Sequence, residues 1–350
     1  MMKLLVTGSS GLIGSECVLQ MSKSFKSVIG IDNNMRKDFF GAGGDTTNIK
    51  KRLLSEIHNY RHFDIDIRDR NRILDIFKQE KPSAIIHCAA QPSHDLAASR
   101  PFDDFEVNAV GTLNLLECAR QQTKDSPFIF MSTNKVYGDA PNNIPLIELP
   151  TRWEYADDKY LNGVDESFSI DQSKHSIFGA SKVAADILVQ EYGRYFNMPT
   201  ASFRGGCLTG SRHAAVELHG YLAYIFKCAI EHKPYTIYGY KGKQVRDQIH
   251  SSDVVSAFQA FLNNPRAGEV YNLGGGKDNS ISILESIEII KSITEQELIY
   301  SYSEINRSGD HICYYSNLSK IKAHFPDWQI RVSIKEIIQD MWNSFKIGLK

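Results

Sequence analysis

The sequence predicts an α/β fold built on a doubly wound parallel sheet, because strand-like and helix-like segments alternate along the N-terminal part of the chain. Short apolar runs that are typical of buried strands cover residues 3–7, 27–31, 84–88 and 127–131. Stretches with helical periodicity separate such runs, as at residues 105–121. Strands that are buried on both faces and joined by helices are typical of a parallel sheet with a helical layer on either side.

The C-terminal third has a different pattern, which predicts a second and smaller α/β region. The 350 residues, 42% of them hydrophobic, suffice for two linked cores, and strands such as residues 235–238 are followed there by separate helices. We expect residues 1–203 to form the sheet domain, with residues 237–263 rejoining it, and residues 204–350 to form mainly a substrate-binding region. The polar segment 36–59 is long for a connection between a strand and a helix and is predicted to be an insertion.

Composition argues against several classes of function. The formal net charge is -1, so the strongly basic surface of a nucleic-acid-binding protein is not expected. The six cysteines are scattered without a C-x-x-C pair, which argues against a zinc site or a redox pair and favours free thiols in a reducing compartment. Neither a signal-peptide pattern nor a run of about 18 apolar residues occurs. We therefore expect a cytoplasmic protein with no nucleic-acid, membrane or metal partner.

Three glycines, Gly8, Gly11 and Gly14, form a G-x-x-G-x-x-G loop between the first predicted strand and the next helix. Glycine permits a tight turn and a close approach of the backbone to a pyrophosphate, which the helix N-terminus then attracts. Asp32 follows the second strand, where a carboxylate accepts hydrogen bonds from the adenosine ribose and repels a 2′-phosphate. The pattern predicts NAD, although Arg36 is of the type that accommodates the phosphate of NADP. A glycine-rich turn without a ligand is the alternative.

Five further motifs occur where the extended short-chain dehydrogenase/reductase family has them, and the chain resembles that family over roughly residues 3–340. The motifs are residues 66–67 (DI), 87–91 (HCAAQ), 107–112 (VNAVGT), 132–139 (STNKVYGD) and 178–182 (FGASK). The resemblance implies a Rossmann fold that binds NAD. The cofactor contacts that it implies are Gly8, Ser10, Gly11, Leu12, Ile13, Gly14, Asp32, Asn33, Arg36, Asp66, Ile67, Ala89, Ala90, Gln91, Asn108 and Lys182.

The resemblance also implies a catalytic set, in which Thr133 and Lys182 are present and the tyrosine is not. In this family a tyrosine phenolate takes the hydroxyl proton of a sugar while a hydride moves to NAD, and the lysine holds the nicotinamide ribose. Phe178 occupies the position of that tyrosine. Three interpretations stay open: an introduced Tyr→Phe change, a different proton acceptor, or binding without turnover. The groups that the sequence offers as a different acceptor are Tyr137, His175, Cys207 and Lys182 itself.

A nucleotide-activated sugar is the substrate that the resemblance implies. Its diphosphate would be bound by Arg246, since a guanidinium fork suits two phosphate oxygens at once, and a second contact is expected from Arg307. The remaining substrate contacts that we expect are Thr133, Asn134, Arg204 and Tyr238, with His219 as a further pocket residue. Residues 132–139 and 242–247 (GKQVRD) resemble the branch of the family that epimerises CDP-linked deoxyhexoses at C2.

The activity that we expect is NAD-dependent epimerisation through a transient keto sugar. The dehydratase branch of the family carries acidic residues directly after the catalytic threonine, where this chain has Asn134 and Lys135, so elimination of water is less expected. The alternatives are a nucleotide-sugar dehydrogenase or reductase and a catalytically silent binding protein. The family pairs two helices per subunit, here residues 105–121 and 178–196, so we expect a homodimer or homotetramer.

Overall fold

The chain forms two compact units in the computed structural model, which describes residues 2–211, 220–306 and 310–348. The first unit comprises Met1–Val136, Ile177–Arg204 and Val254–Tyr271. The second comprises Tyr137–Ser176, Gly205–Asp253 and Asn272–Lys350. Residues 137–176 thus group with the C-terminal part, whereas the expected boundary at residue 203 placed them with the sheet.

Strands and helices follow one another as β–α pairs in the first part of the chain. The strands are β1 (Lys3–Thr7), β2 (Ser27–Ile31), β3 (Tyr60–Phe63), β4 (Ala84–His87), β5 (Phe128–Thr133), β6 (Leu146–Glu148), β7 (Trp153–Tyr155), β8 (Thr200–Gly205), β9 (Cys207–Thr209), β10 (Tyr235–Tyr238), β11 (Val245–His250), β12 (Glu269–Leu273), β13 (Ser280–Ser282), β14 (Tyr300–Ser303) and β15 (Cys313–Tyr314). The helices are α1 (Leu12–Met21), α2 (Met35–Phe40), α3 (Thr47–Glu56), α4 (Arg70–Glu80), α5 (His94–Ser99), α6 (Pro101–Phe105), α7 (Gly111–Gln122), α8 (Ser176–Phe196), α9 (Tyr221–Ile230), α10 (Ser251–Asn263), α11 (Ile283–Thr294), α12 (Ser319–His324) and α13 (Ile334–Lys346).

The sheet of the first unit has seven strands in the order β12-β8-β5-β4-β1-β2-β3. β1 pairs in parallel with β2 and β4, β2 pairs in parallel with β3, and β4 with β5. The prediction of a doubly wound parallel sheet is therefore confirmed. The direction in which the chain adds strands reverses between β1 and β4, and ligands of such sheets bind at the carboxyl ends of the strands beside that switch point.

Apolar side chains from strands and helices fill the core of the first unit. Leu5, Ile85 and Phe128 of three strands are fully buried together with Phe77 of α4 and Leu115 of α7. Burying each of these large side chains contributes roughly 1.5–3 kcal/mol to folding. The core fixes the strand ends at which the predicted site residues lie.

One predicted helix is interrupted. The helical pattern at residues 105–121 predicts a continuous element, but Glu106–Val110 form a single π-helical turn between α6 and α7. Such turns are frequent at functional sites, because the wider turn changes the direction of the side chains that it carries. Asn108, in the middle of this turn, is 1% exposed.

The second unit is organised around β11. This strand pairs in parallel with β9 and β15 and antiparallel with β13. Two smaller sheets, β10 with β14 and β6 with β7, belong to the same unit. Phe226 of α9, Ile287 of α11 and Ile337 of α13 are buried in its core. Among the residues that the structure describes, no helix is long and apolar enough to cross a membrane.

Candidate cofactor and catalytic site

The glycine loop lies at the carboxyl ends of β1 and β4. Gly8 has a φ of +66°, and a Cβ at this position would lie 2.7 Å from the backbone nitrogen of Ala89. A Cβ on Gly14 would clash with the carbonyl oxygen of Gly8. Side chains at these two positions would force the backbone apart, so the close approach requires glycine. Gly11 is the N-cap of α1 and provides no side-chain cap, which suits an anion at this helix N-terminus.

A buried hydroxyl completes this cradle. The side-chain oxygen of Ser10 is buried and has no hydrogen-bond partner among the described residues. A phosphate oxygen at the loop would provide the missing partner, so the residues present fit the pyrophosphate of a dinucleotide. Other predicted cofactor residues follow the same strand ends: Leu12 and Ile13 in the first turn of α1, Ile67 after β3, and Ala89 and Ala90 after β4.

Asp32 follows β2, and backbone groups fix its carboxylate beside the glycine loop. Its Oδ2 accepts a hydrogen bond from the Ser10 N–H at 3.0 Å, and its Oδ1 accepts one from the Asn34 N–H at 2.8 Å. Each oxygen keeps further lone pairs for a ligand hydroxyl. The geometry suits the adenosine ribose of NAD.

The segment predicted as an insertion lines a small cavity beside Ser10 and Asp32. Asn34 has a φ of 55°, accepts a hydrogen bond from the Thr46 N–H at 3.0 Å and donates one to Asp45 Oδ1 at 2.9 Å. These bonds tie the start of α3 to the end of β2, and the side chains of Thr47 and Lys50 line the cavity together with Asp32, Asn34 and Ser10. Sequence reasoning assigned no role to this segment. The Asp-Thr-Thr sequence, typical of a helix start, was the available signal.

Asn33 and Arg36, two predicted cofactor residues, contact different groups. Asn33 Nδ2 donates to Asp66 Oδ2 at 3.2 Å, and Arg68 pairs with the same oxygen at 2.8 Å. Burial disfavours the Asp66 carboxylate, but the hydrogen bonds from Arg68 outweigh it and hold its pKa below the usual value. The Arg36 guanidinium lies 4.8 Å from the centroid of the Phe40 ring, and burial lowers the pKa of Arg36 to about 10. Arg36 therefore stays charged at neutral pH.

Asn108 ties the loop after β4 to α8. Its Oδ1 accepts a hydrogen bond from the Gln91 N–H at 3.0 Å. Its Nδ2 lies 3.1 Å from Asp104 Oδ1 and 3.0 Å from Ser181 Oγ. Gln91 Nε2 donates to the same Asp104 oxygen at 2.8 Å. Since protein groups engage both ends of the amide, we interpret Asn108 and Gln91 as residues that position the cofactor loop.

A neutral histidine lies at the switch point. His87 ends β4, with Nδ1 2.7 Å from Thr7 Oγ1 and Nε2 2.9 Å from Thr112 Oγ1. Burial, with a smaller contribution from the positive charge of Lys182, lowers the pKa of His87 to about 3. The ring is therefore uncharged at neutral pH and joins the ends of β1 and β4 to α7.

Phe178 and Lys182 lie one turn apart on α8, and Thr133 ends β5. Lys182 Nζ donates a hydrogen bond to the Met131 carbonyl oxygen at 2.9 Å and lies 4.2 Å from the centroid of the Phe130 ring. Burial lowers the pKa of Lys182 to about 8. The lysine is thus held against β5, two residues before Thr133.

The Phe178 ring is buried, at 6% exposed, and packs against His94 with the ring centroids 4.8 Å apart. Thr133 Oγ1 accepts a hydrogen bond from the Lys135 N–H at 3.2 Å and lies 3.5 Å from Asn134 Oδ1. Lys182 of α8 is thus held against β5, the strand that ends at Thr133. The phenylalanine side chain supplies no titratable group.

Arg204 was predicted to contact substrate, and the structure places it in a buried ion pair. Its guanidinium forms two hydrogen bonds with Asp186, at 2.9 and 3.3 Å, and the arginine is 4% exposed. Asp186 also accepts hydrogen bonds from Ser132 at 2.5 Å and Gln190 at 2.7 Å. The guanidinium fork is used within the protein, since it joins β8 to Asp186 of α8, which is bonded in turn to Ser132 of β5. Sequence reasoning missed Asp186, whose signal was a carboxylate one turn after Lys182.

Tyr137 was offered as a substitute proton acceptor, and the structure makes it a core residue of the second unit. The side chain is fully buried, and its hydroxyl donates to Asn272 Oδ1 at 2.8 Å. Its ring stacks with Tyr314. His175, another such group, lies 3.0 Å through Nδ1 from the carbonyl oxygen of Ser173. Both side chains are thus hydrogen-bonded within the protein.

The other predicted substrate residues also belong to the second unit. Arg246 of β11 is 9% exposed, and its guanidinium lies 3.7 Å from Asp310 Oδ1. Tyr238 ends β10 and is half-buried, as is Cys207 at the start of β9. Two further predictions, Arg307 and His219, lie outside the described residues.

A glycine cradle at the switch point, a carboxylate after β2, and a threonine and lysine at β5 and α8 define a dinucleotide-binding protein of the extended short-chain dehydrogenase type. The chain matches the NAD dependent epimerase/dehydratase family over residues 4–274. It therefore belongs to this family, as an NAD-dependent enzyme.

Relatives of known activity span nearly the whole chain. CDP-paratose 2-epimerase of Salmonella typhi is 34% identical, with 98% of each chain covered. A dTDP-glucose 4,6-dehydratase of Escherichia coli is 32% identical, with 92% of this chain and 87% of the relative covered. The UDP-glucose 4-epimerase of Thermus thermophilus, solved with NAD, has a TM-score of 0.78 and is 25% identical, with 99% of each chain covered.

Proposed function

We propose that the protein epimerises a nucleotide-activated sugar with NAD, and that the sugar is a CDP-linked deoxyhexose inverted at C2. The observation that carries this proposal is the end of β5. Lys182 is bonded to Met131 on this strand, and Thr133 is followed by Asn134 and Lys135. The dehydratase branch of the family carries acidic residues at these two positions, and neither Asn134 nor Lys135 has a carboxyl group. The 34% identity to CDP-paratose 2-epimerase over 98% of both chains supports the same substrate class.

Each part of the site has a task in this reaction. Bound NAD would supply a hydride acceptor that is regenerated in every turnover. Gly8, Gly14 and the N-terminus of α1 would hold its pyrophosphate, and Asp32 its adenosine ribose. Lys182 would hold the nicotinamide ribose, and Thr133 would bind the reacting sugar hydroxyl.

Two further residues, Arg246 and Tyr238, would contact the substrate. Arg246 suits the diphosphate, because its guanidinium presents paired donors, and Tyr238 at the end of β10 suits the nucleotide. We also infer a homodimer or homotetramer. Phe102 before the π turn and Tyr195 at the end of α8 are 83% and 80% exposed, and Ile187 of the same helix is 38% exposed. Exposed apolar side chains on these helices suit a helical subunit interface.

Proton NMR of the sugar anomeric signals tests the proposed reaction. With NAD and CDP-paratose, the expected result is conversion to the C2 epimer without accumulation of free NADH. Stoichiometric NADH would instead identify a nucleotide-sugar dehydrogenase, and would contradict the proposal. UDP-glucose provides a control for the nucleotide and the sugar.

A second candidate function follows from Phe178. A protein that binds NAD and the nucleotide sugar without turnover would need the cradle and Arg246 but no proton acceptor. It predicts that isothermal calorimetry detects binding of CDP-paratose to the NAD-loaded protein while NMR detects no change in the sugar.

A further inference from the structure

The Phe178 ring, which occupies the position of the family's tyrosine, packs against a titratable side chain. The imidazole of His94 lies on the Phe178 ring, with centroids 4.8 Å apart and planes inclined by 58°. We propose that His94 is a catalytic residue that accepts the sugar hydroxyl proton in place of the absent tyrosine. This inference rests on the proposed function and deepens it, since it names the acid–base group of the same site.

The backbone that carries His94 is fixed. Ser93, the preceding residue, is fully buried and caps α5 by accepting a hydrogen bond from the Leu96 N–H at 3.3 Å. The side chain of Gln91 binds Ser93 on both sides. It accepts from the Ser93 N–H at 2.5 Å and donates to the Ser93 carbonyl oxygen at 2.9 Å. The backbone from which the imidazole extends is therefore fixed at the end of the cofactor loop.

A continuous set of hydrogen bonds connects this loop to the helix of Phe178. Gln91 is bonded through its N–H to Asn108, and Asn108 is bonded to Ser181 on α8. The Ser181 hydroxyl in turn donates to the carbonyl oxygen of Phe178 at 3.0 Å. A reacting group must be held by a shell of this kind to stay in productive geometry. His94 thus has a fixed place relative to Phe178.

Two of the alternative proton acceptors are engaged in hydrogen bonds within the protein. Lys182 Nζ is bonded to the Met131 carbonyl oxygen, and the Tyr137 hydroxyl to Asn272. An imidazole with one unprotonated nitrogen accepts a proton at neutral pH, which makes histidine the commonest general base. During oxidation of the sugar, the O–H proton would pass to His94 and the C–H hydride to NAD while the carbonyl forms. Both return in the second half of the turnover, so protons and electrons balance.

A set of four proteins separates this role from packing: the wild type, His94→Asn, Phe178→Tyr and the double variant. Each is incubated with NAD and CDP-paratose, and NMR gives the rate of epimerisation. His94→Asn is expected to lower the rate by about 10²–10⁴-fold. The double variant is expected to turn over like Phe178→Tyr, because the phenol makes the imidazole dispensable. His58→Asn, in an exposed loop after α3, is the matched control and keeps the wild-type rate.

Acylation with diethyl pyrocarbonate, mapped by peptide mass spectrometry, gives a readout apart from turnover. CDP-paratose added to the NAD-loaded wild type is expected to protect His94 but not His58. The assignment is overturned if His94→Asn epimerises the sugar at the wild-type rate. It is also overturned if Phe178→Tyr turns over and the wild type does not. If no variant converts the sugar, the proposed function fails. In that case protection still supports an imidazole at the sugar, and equal acylation with and without CDP-paratose rejects it.

Discussion

The candidate site of the first unit has a cofactor end at the glycine loop and a catalytic end at α8. The two ends differ in how strictly the backbone dictates their residues. At the glycine loop, the close approach requires Gly8 and Gly14, and backbone N–H groups fix the Asp32 carboxylate. At α8, Lys182 is held in place while Phe178 lacks the phenol. Backbone geometry dictates the first set, so other residue types cannot replace it. A proton acceptor can come from any side chain that reaches the same point, so the second set must be sought in space.

The largest expected effect is at the catalytic end, where Arg204 neutralises buried Asp186. Arg204→Met leaves this carboxylate without its positive partner, although Ser132 and Gln190 still donate to it. Removal of one partner of a buried ion pair costs about 3–5 kcal/mol. Urea denaturation should show a loss of this size in the free energy of unfolding.

The matched control replaces both charges. In the double variant with Met at 204 and Leu at 186, neither charge of this pair remains buried, and most of the lost stability should return. A stable Arg204→Met protein with weakened CDP-paratose binding would instead favour the predicted substrate contact. That result would contradict the comparison, because Arg204 at the catalytic end would then bind the ligand directly.

The next effect is at the cofactor end. Asp32→Asn removes the charge that binds the adenosine ribose, and a hydrogen bond to a charged group contributes about 1.5–3 kcal/mol. NAD should therefore bind roughly 10- to 100-fold more weakly in calorimetry, while NADP should lose less affinity because its phosphate is no longer repelled. Asp38→Asn, an exposed carboxylate of α2, should bind NAD like the wild type. Equal affinity of the wild-type protein for NAD and NADP would instead show that the Asp32 carboxylate does not select between them.

The sequence alone predicted where the glycine loop and Asp32 lie, because the motif reports backbone requirements. A glycine triplet between a strand and a helix, with a carboxylate after the next strand, is a specific signal for a turn of this geometry. The predicted α/β alternation was confirmed for the same reason, since buried parallel strands are short apolar runs.

Side-chain partners were not predictable in the same way. Arg204 and Asp186 belong to no common sequence motif, and only the position of β8 in the sheet brings them together. Tyr137 follows Thr133 by only four residues, yet its hydroxyl is bonded to Asn272, 135 residues away in the chain. Contact between His94 and Phe178 likewise depends on two separate loops and helices. Pairing over such distances is set by tertiary structure and leaves no local periodicity.

The smallest expected effect concerns His87, which joins the ends of β1 and β4 to α7. Its pKa is about 3 in the folded protein, below the ordinary 6.5. As the pH falls below 6.5, the unfolded chain binds a proton at this residue and the folded protein does not, so stability falls toward pH 3. At pH 5.5 the loss relative to pH 7.5 is about 1.4 kcal/mol. His87→Gln should lack this part of the pH dependence, whereas the exposed His58→Gln should retain it. Urea denaturation at the two pH values measures the difference, and identical pH dependence in wild type and His87→Gln would mean that the ring is solvated.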